Sequence, residues 1–192
     1  LALIAGAMAK ATVPVLAAQH ARAGASDRTG HTLSVVLTVT LLVLGLGSLV
    51  MALAASSVVT VLAPGFEGPA AELAAGLTRV VLLSTVLIAG TNLLAAAAEA
   101  HRRFVWAGVQ GIPFNLIMIA SAVLLGPRYG VAALAVGFVA GSAARLVCQL
   151  VPLRALGLRL RASFDLKDPG FRAIATLVPP LLLGSALGNV NT

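Results

Sequence analysis

Charge is scarce in this sequence: 10% of its 192 residues are charged, and only six of them are acidic. Water-soluble domains carry roughly 25% charged residues, so this chain lacks the polar surface to coat a globule of its own length and belongs in a membrane. Cysteine is almost absent. Cys148 alone can form no internal disulfide, and with three scattered histidines it builds no cluster that would ligate a metal or organise a thiol nucleophile. Aromatics make up 4% of the residues, so the interfacial belt reduces to Phe104, Trp106 and Tyr129. No paired carboxylates lie in an apolar run, there is no phosphate-binding glycine loop, and no Ser/His/Asp set has usable spacing. An enzyme has nothing to work with here: no catalytic residue, metal or cofactor is expected.

What is present is apolar length. The chain is 59% hydrophobic with a mean hydropathy of +1.03. A hydrocarbon core of about 30 Å needs about 20 apolar residues at helical rise. Four complete spans meet that length, at Thr32 to Ala54, Ala75 to Ala98, Val105 to Leu125 and Val131 to Val151. A partial span precedes Gln19 and another runs from Phe171 to the end. The expected fold is therefore all-α, a polytopic transmembrane helix bundle. The apolar stretch continues past Ala54 to Ala63, which places its last turns in the interface, and Pro64 to Pro69 reads as a turn. The opening at Leu1 inside an apolar run and the ending at Asn191 and Thr192 read as a fragment cut within spanning helices. Leu1 to Gln19 lacks the order of a secretory signal.

The connections alternate in charge. His20 to His31, Glu99 to Phe104 and Pro152 to Arg172 carry nine of the thirteen cations. The intervening connections, Pro64 to Thr78 and Gly126 to Gly130, have only Arg79 and Arg128 at their edges, and Lys10 and Arg145 lie inside spans. Nine against two is a positive-inside signal that puts the basic connections in the cytoplasm. The net charge of +7 is thus explained by topology, and nucleic acid is not an expected partner.

Polar residues in apolar surroundings carry the remaining information, because a charge at a helix centre costs about 2.5–3.5 kcal/mol on insertion scales. Lys10 has apolar residues on both sides and Pro14 four positions on. It reads either as a cavity cation for an anionic substrate or as a lysine snorkelling to the headgroups. Arg145, two turns before Pro152, carries the same pair of readings, with snorkelling the simpler. Arg79 opens a span on the outer side as an interface anchor or a ligand group. Glu99, His101, Arg102 and Arg103 read as a tight turn with topogenic charge. Asn92 and Asn115 are in-span amides suited to cross-helix bonds. Pro179-Pro180 removes backbone donors from the last helix. The small-residue runs Gly45-Leu46-Gly47-Ser48 and Gly137 to Ser142 read as helix contacts.

Several segments together resemble the MurJ (MviN) family of bacterial lipid II flippases, in the superfamily that also holds drug and polysaccharide exporters. Gly6 to Ala17 resembles the end of the family's second helix, and Leu62-Ala63-Pro64-Gly65-Phe66 its external A-P-G-F turn. Ala100 to Phe104 with Asn115 resembles the turn between helices four and five. Val151 to Leu158 resembles the stretch leaving helix six, and Val178-Pro179 with Gly188 to Asn191 the seventh helix. The resemblance implies that residues 1–170 are most of an N-terminal lobe and that 171–192 begin a helix leading into a C-terminal lobe. It further implies alternating-access transport of the undecaprenyl-linked peptidoglycan precursor across the cytoplasmic (inner) membrane, with that precursor, membrane lipid and cell-wall synthesis proteins as partners. The family's cavity arginines fall on no residue of this chain, and Leu1 to Ala5 replaces a charged cluster found in many relatives. Another lipid-linked polysaccharide, a drug, or a scaffolding role for cell-wall enzymes are the alternatives. The candidate substrate contacts are Lys10, Arg79, Arg145 and Asn115.

Overall fold

A computed structural model of the chain describes residues 2–21, 26–62, 65, 68–158 and 160–190. The described residues are helical apart from turns and one irregular connection. The helices are α1 (Ala2–His20), α2 (Ser26–Leu53), α3 (Ala55–Leu62), α4 (Pro69–Ala100), α5 (Phe104–Val109), α6 (Gly111–Ala120), α7 (Gly126–Tyr129), α8 (Val131–Ala155) and α9 (Pro169–Val190), with a π-helical turn at Ser121–Leu125 between α6 and α7. Four segments are long and apolar enough to cross a membrane: Arg28–Leu53, Pro69–Ala100, Phe104–Tyr129 and Val131–Ala155. These are the four expected spans, each lengthened by a few residues.

Helix α4 is the hub. Half of its apolar window is buried, and α1, α2 and α8 all pack on it. Its alanine-rich second half explains why, since Ala89, Leu93 to Ala98 and Ala100 present a low-relief surface that three helices can approach. At Gly90 a Cβ would stand 3.1 Å from Leu146 of α8 and 3.5 Å from Leu41 of α2. The third span is peripheral, with only 6% of its window buried, and it leans on α8. There the small-residue reading of Gly137 to Ser142 holds. A Cβ on Gly137 would lie 2.5 Å from Ser121 Cβ, and one on Gly141 2.8 Å from the Phe114 ring. In the other run a Cβ on Gly45 would meet nothing within 4 Å, while Ser48 is buried.

Buried layers give the directions of α1, α2, α3 and α4. The first contains Leu16, Leu33, Leu94, Ala97, Leu153 and Leu158. The second contains Met8, Ala11, Val36, Leu93 and Ile174. The third joins Ala5, Leu44 and Ala89, and the fourth Ala55, Val59 and Ala75. From first layer to last, residue numbers fall in α1 and α4 and rise through α2 and α3, as an up-and-down bundle requires. On α4, Ala97 to Ala75 is about 33 Å at 1.5 Å per residue, close to one hydrocarbon thickness. The first layer sits at the end that carries the basic connections and the fourth at the opposite end.

The connections are shorter than the sequence suggested. Residues 26–31 of the expected His20 to His31 loop already belong to α2, and 22–25 lie outside the described residues. The Gly126 to Gly130 connection shrinks to one residue, because Pro127 is tolerated in the first turn of α7 and Gly130 alone reverses the chain at φ 55°. Of the Pro64 to Pro69 turn, Gly65 and Gly68 are described as turn residues; Pro64, Phe66 and Glu67 lie outside the description, and with them most of the A-P-G-F motif. The tight Glu99 to Arg103 turn is present. Arg102 takes φ 60°, Arg103 N–H donates to Ala98 O at 2.9 Å, and His101 Nδ1 lies 2.8 Å from Ala97 O, so the last carbonyls of α4 are capped. Helix α9 runs straight through Pro179 and Pro180. The two missing donors leave the carbonyls of Ala175 and Thr176 without their i+4 partners.

Candidate functional site

The groups that could meet a charged substrate are the polar side chains of the spans. Of the carboxylates, Asp27, Glu72, Glu99, Asp165 and Asp168 stand near helix ends or in the α8–α9 connection, and no cation within a span forms an ion pair among the described residues. Lys10 is exposed on α1, on a stripe with Pro14 and Ala18 that turns away from the buried Ala11, Thr12 and Leu16. It lies six residues, about 9 Å, above the first layer at Leu16. Among the described residues it makes no ion pair or hydrogen bond.

Arg145 lies deeper, eight residues or about 12 Å from Leu153. Its guanidinium carbon sits 5.5 Å from the centroid of the Phe114 ring, and its Nε is buried with no acceptor. Phe114 also lies against Gly141, one helical turn further from the end that carries the basic connections, so Arg145 meets α6 through an aromatic face. Phe114 is fixed in turn by an edge-on contact with Phe138 at 5.4 Å. Asn115 is exposed on the outer face of α6, beside Phe114 but pointing elsewhere.

Arg79 is at the far end. Its Nε donates to Ala52 O at 3.1 Å and its Nη2 to Ser56 Oγ at 3.1 Å, one partner on each side of the break at Ala54. Eighteen residues of α4, about 27 Å, separate it from Ala97, which puts it at the outer hydrocarbon edge. The four candidates are therefore not gathered into one constellation. Helices α1 and α8 both pack on α4 and their backbones do not pack on each other, which keeps Lys10 and Arg145 apart.

Two polar groupings stand out that sequence reasoning passed over. Gln149, fully buried on α8, donates Nε2 to Trp106 O at 2.7 Å, where α5 gives way to α6. It is an amide bonding between helices, and a buried glutamine in an apolar run satisfies the same criterion that singled out Asn92 and Asn115. The second lies at the end that carries the basic connections. Asp168 caps α9 by accepting from Phe171 N–H at 2.7 Å, and it also accepts from Thr32 Oγ1 at 2.9 Å, to which Gln19 Nε2 donates at 3.3 Å. Gly170 allows the approach, since a Cβ there would lie 2.6 Å from Thr32 Cγ2. Helices α1, α2 and α9 meet at that point. An S/T/D-Pro pair ahead of an apolar run was the available signal, because Asp168-Pro169 has the order of an N-cap and first helical residue.

The described residues thus place cations within the spans, side-chain amides that bond between helices, and a capped start of α9 at the end that carries the basic connections. A family model described as "Lipid II flippase MurJ" matches residues 2–192. The chain is also 29% identical, over 203 aligned positions, to a probable lipid II flippase MurJ of Vibrio cholerae. That alignment takes in 97% of this chain and 37% of the relative, so the chain spans little more than a third of that protein's length. With a multi-pass helical bundle and a match over almost every residue, the chain belongs to the lipid II flippase MurJ family.

Proposed function

We propose that the chain is part of a flippase that carries the undecaprenyl-linked peptidoglycan precursor across the bacterial cytoplasmic membrane by alternating access. Residues 1–170 then form most of the N-terminal lobe, and 171–192 open the helix that leads into a C-terminal lobe. The observation that carries this reading is Lys10, an exposed cation within an apolar helix that has no carboxylate at its depth among the described residues. Such a charge is stabilised by an anion that arrives from outside, and the pyrophosphate of a lipid-linked precursor supplies one. The polyprenyl tail stays in lipid, so only the headgroup needs a shielded route. No bond of the precursor is broken, and acid–base groups are not required.

Lys10 is the principal contact in this scheme. Arg145 and Asn115 are secondary. Arg79, whose fork is already engaged by the α2–α3 bend, meets the headgroup only at the outer end of the route. Cell-wall synthesis proteins are the natural recipients of the delivered precursor.

The test is complementation by the full-length gene in bacteria depleted of their own lipid II flippase, with the membrane level of the protein as control. The unaltered protein should rescue growth, and both Lys10→Ala and Lys10→Glu should abolish rescue at an unchanged membrane level. Failure of the unaltered protein despite good insertion moves the assignment to another lipid-linked glycan, a drug or a scaffold. Full rescue by Lys10→Glu removes Lys10 from the route.

A further inference from the structure

The connection between α8 and α9 does more than join them. From 160 to 165 it is neither helix nor strand, and alternate amides of it lie against the first half of α2. Arg161 N–H donates to Ser34 Oγ at 3.1 Å, and Ser163 N–H donates to Thr38 Oγ1 at 3.2 Å. Each hydroxyl passes its own proton back along α2, Ser34 to Gly30 O and Thr38 to Ser34 O, both at 2.7 Å. The registers agree. Four residues of helix advance about 6.0 Å and two residues of extended chain about 6.6 Å, so alternate amides of the strap find successive hydroxyls of the helix.

Ser34 and Thr38 belong to the spanning segment Arg28–Leu53, and Leu33 is part of the first buried layer. The strap is therefore at the edge of the hydrocarbon, where an amide without a partner is costly, and the two hydroxyls meet that need. Phe164 is nonetheless 64% exposed and Leu166 56% exposed. Around them Arg154, Arg161, Lys167 and Arg172 are all exposed, and none enters an ion pair among the described residues. The carboxylates of the strap are occupied. Asp168 is buried and holds Thr32 and Phe171 N–H, while Asp165 accepts from Lys167 N–H and pairs with His31 at 3.4 Å. The outward face thus combines two large apolar side chains with unpaired cations, at the depth where acyl chains meet headgroups.

We propose that the 160–167 strap is a lipid-binding segment that inserts Phe164 and Leu166 into the cytoplasmic leaflet and holds the phosphates of anionic phospholipids with Arg161, Lys167 and Arg172. An acidic protein partner would satisfy the cations equally well. It would leave the depth of the strap and the hydroxyl-capped backbone unexplained. The inference rests on the topology alone and is independent of which substrate the flippase carries.

The experiment uses full-length protein in nanodiscs, with native cysteines replaced and an environment-sensitive fluorophore on Ala162→Cys, an exposed position of the strap. Discs of phosphatidylcholine are compared with discs holding phosphatidylglycerol as well, using quenchers attached near the top of the acyl chain and iodide in the water. Lipid-attached quenchers should act in both discs and more strongly with phosphatidylglycerol. In detergent, titrated phosphatidylglycerol should bind about fivefold more weakly for each of Arg161→Gln, Lys167→Gln and Arg172→Gln, with the effect shrinking at high salt. Phe164→Ser with Leu166→Ser should transfer the fluorophore from lipid quenching to iodide quenching. These surface substitutions spare the buried layers. Quenching by iodide alone in the unaltered strap overturns insertion, and equal binding of the two lipids overturns headgroup recognition, leaving an acidic protein as the occupant.

Discussion

Gly170 shows how much of this bundle's geometry depends on single atoms. It is the second residue of α9, where a side chain would ordinarily favour the helix, yet a methyl there would lie 2.6 Å from both Thr32 Cγ2 and Thr32 Oγ1. Either α9 or α2 must shift to admit it. Gly170→Ala should therefore destabilise the protein by about 1–3 kcal/mol, the usual cost of overpacking. The gain in helix propensity from glycine to alanine, about 1 kcal/mol, offsets only part of that in an interior position and less in a first turn. Thermal unfolding of the purified full-length protein reads the change. An unchanged midpoint would mean that the junction of Gln19, Thr32 and Asp168 is loose enough to give way. Lys10 and Arg145 illustrate the opposite case, charges whose neighbourhood supplies almost nothing. Lys10 has no polar contact among the described residues, and Arg145 has an aromatic face in place of a carboxylate.

At the scale of elements, the pairing of the strap with α2 is a contact between an irregular segment and a helix, and its two bonds can be removed one at a time. Thr38→Val keeps the shape of the side chain and deletes the acceptor for Ser163 N–H. Ser34→Ala deletes the acceptor for Arg161 N–H. With each bond worth about 1 kcal/mol, hydrogen exchange at the corresponding amide should accelerate about fivefold, while the other amide keeps most of its protection. Equal acceleration at both amides in either variant would show that the strap opens as a unit. This contact was illegible in the sequence, because hydroxyls spaced four apart on an apolar helix ordinarily bond back to their own carbonyls, and these two do so as well. The spans themselves were legible, since uninterrupted apolar length is a direct statement about solvent. The one-residue turn at Gly130 was not, because Gly126-Pro127 has the composition of a loop and the geometry of a helix start. Candidate site residues were visible as charges in apolar runs. Their mutual arrangement was not, because it depends on α4 standing as the common partner of α1 and α8, whose backbones do not pack on each other among the described residues.

For the whole molecule, two independent lines place the same helix ends together. The cations count nine against two across alternating connections. The buried layers place the ends of α1, α4 and α8, and the beginnings of α2 and α9, on one side. Helices α3 and α4 extend the bundle beyond the opposite edge, since α4 runs ten residues before Arg79, and Val61, Leu62 and Leu73 are exposed there. If the basic side is cytoplasmic, a cysteine at Glu72, exposed in the first turn of α4, faces the outside of the cell. One at Arg103, exposed in the turn after α4, faces the inside. A membrane-impermeant maleimide applied to intact cells, or to spheroplasts where an outer membrane is present, should label Glu72→Cys at once and Arg103→Cys only after the cytoplasmic membrane is permeabilised. The reverse pattern would invert the bundle and detach the strap from the cytoplasmic leaflet. It would also leave Lys10 about 9 Å from the wrong surface, because its depth was measured from the layer that contains Leu16. The labelling therefore bears on every functional statement at once, and it does so without any assumption about the cargo.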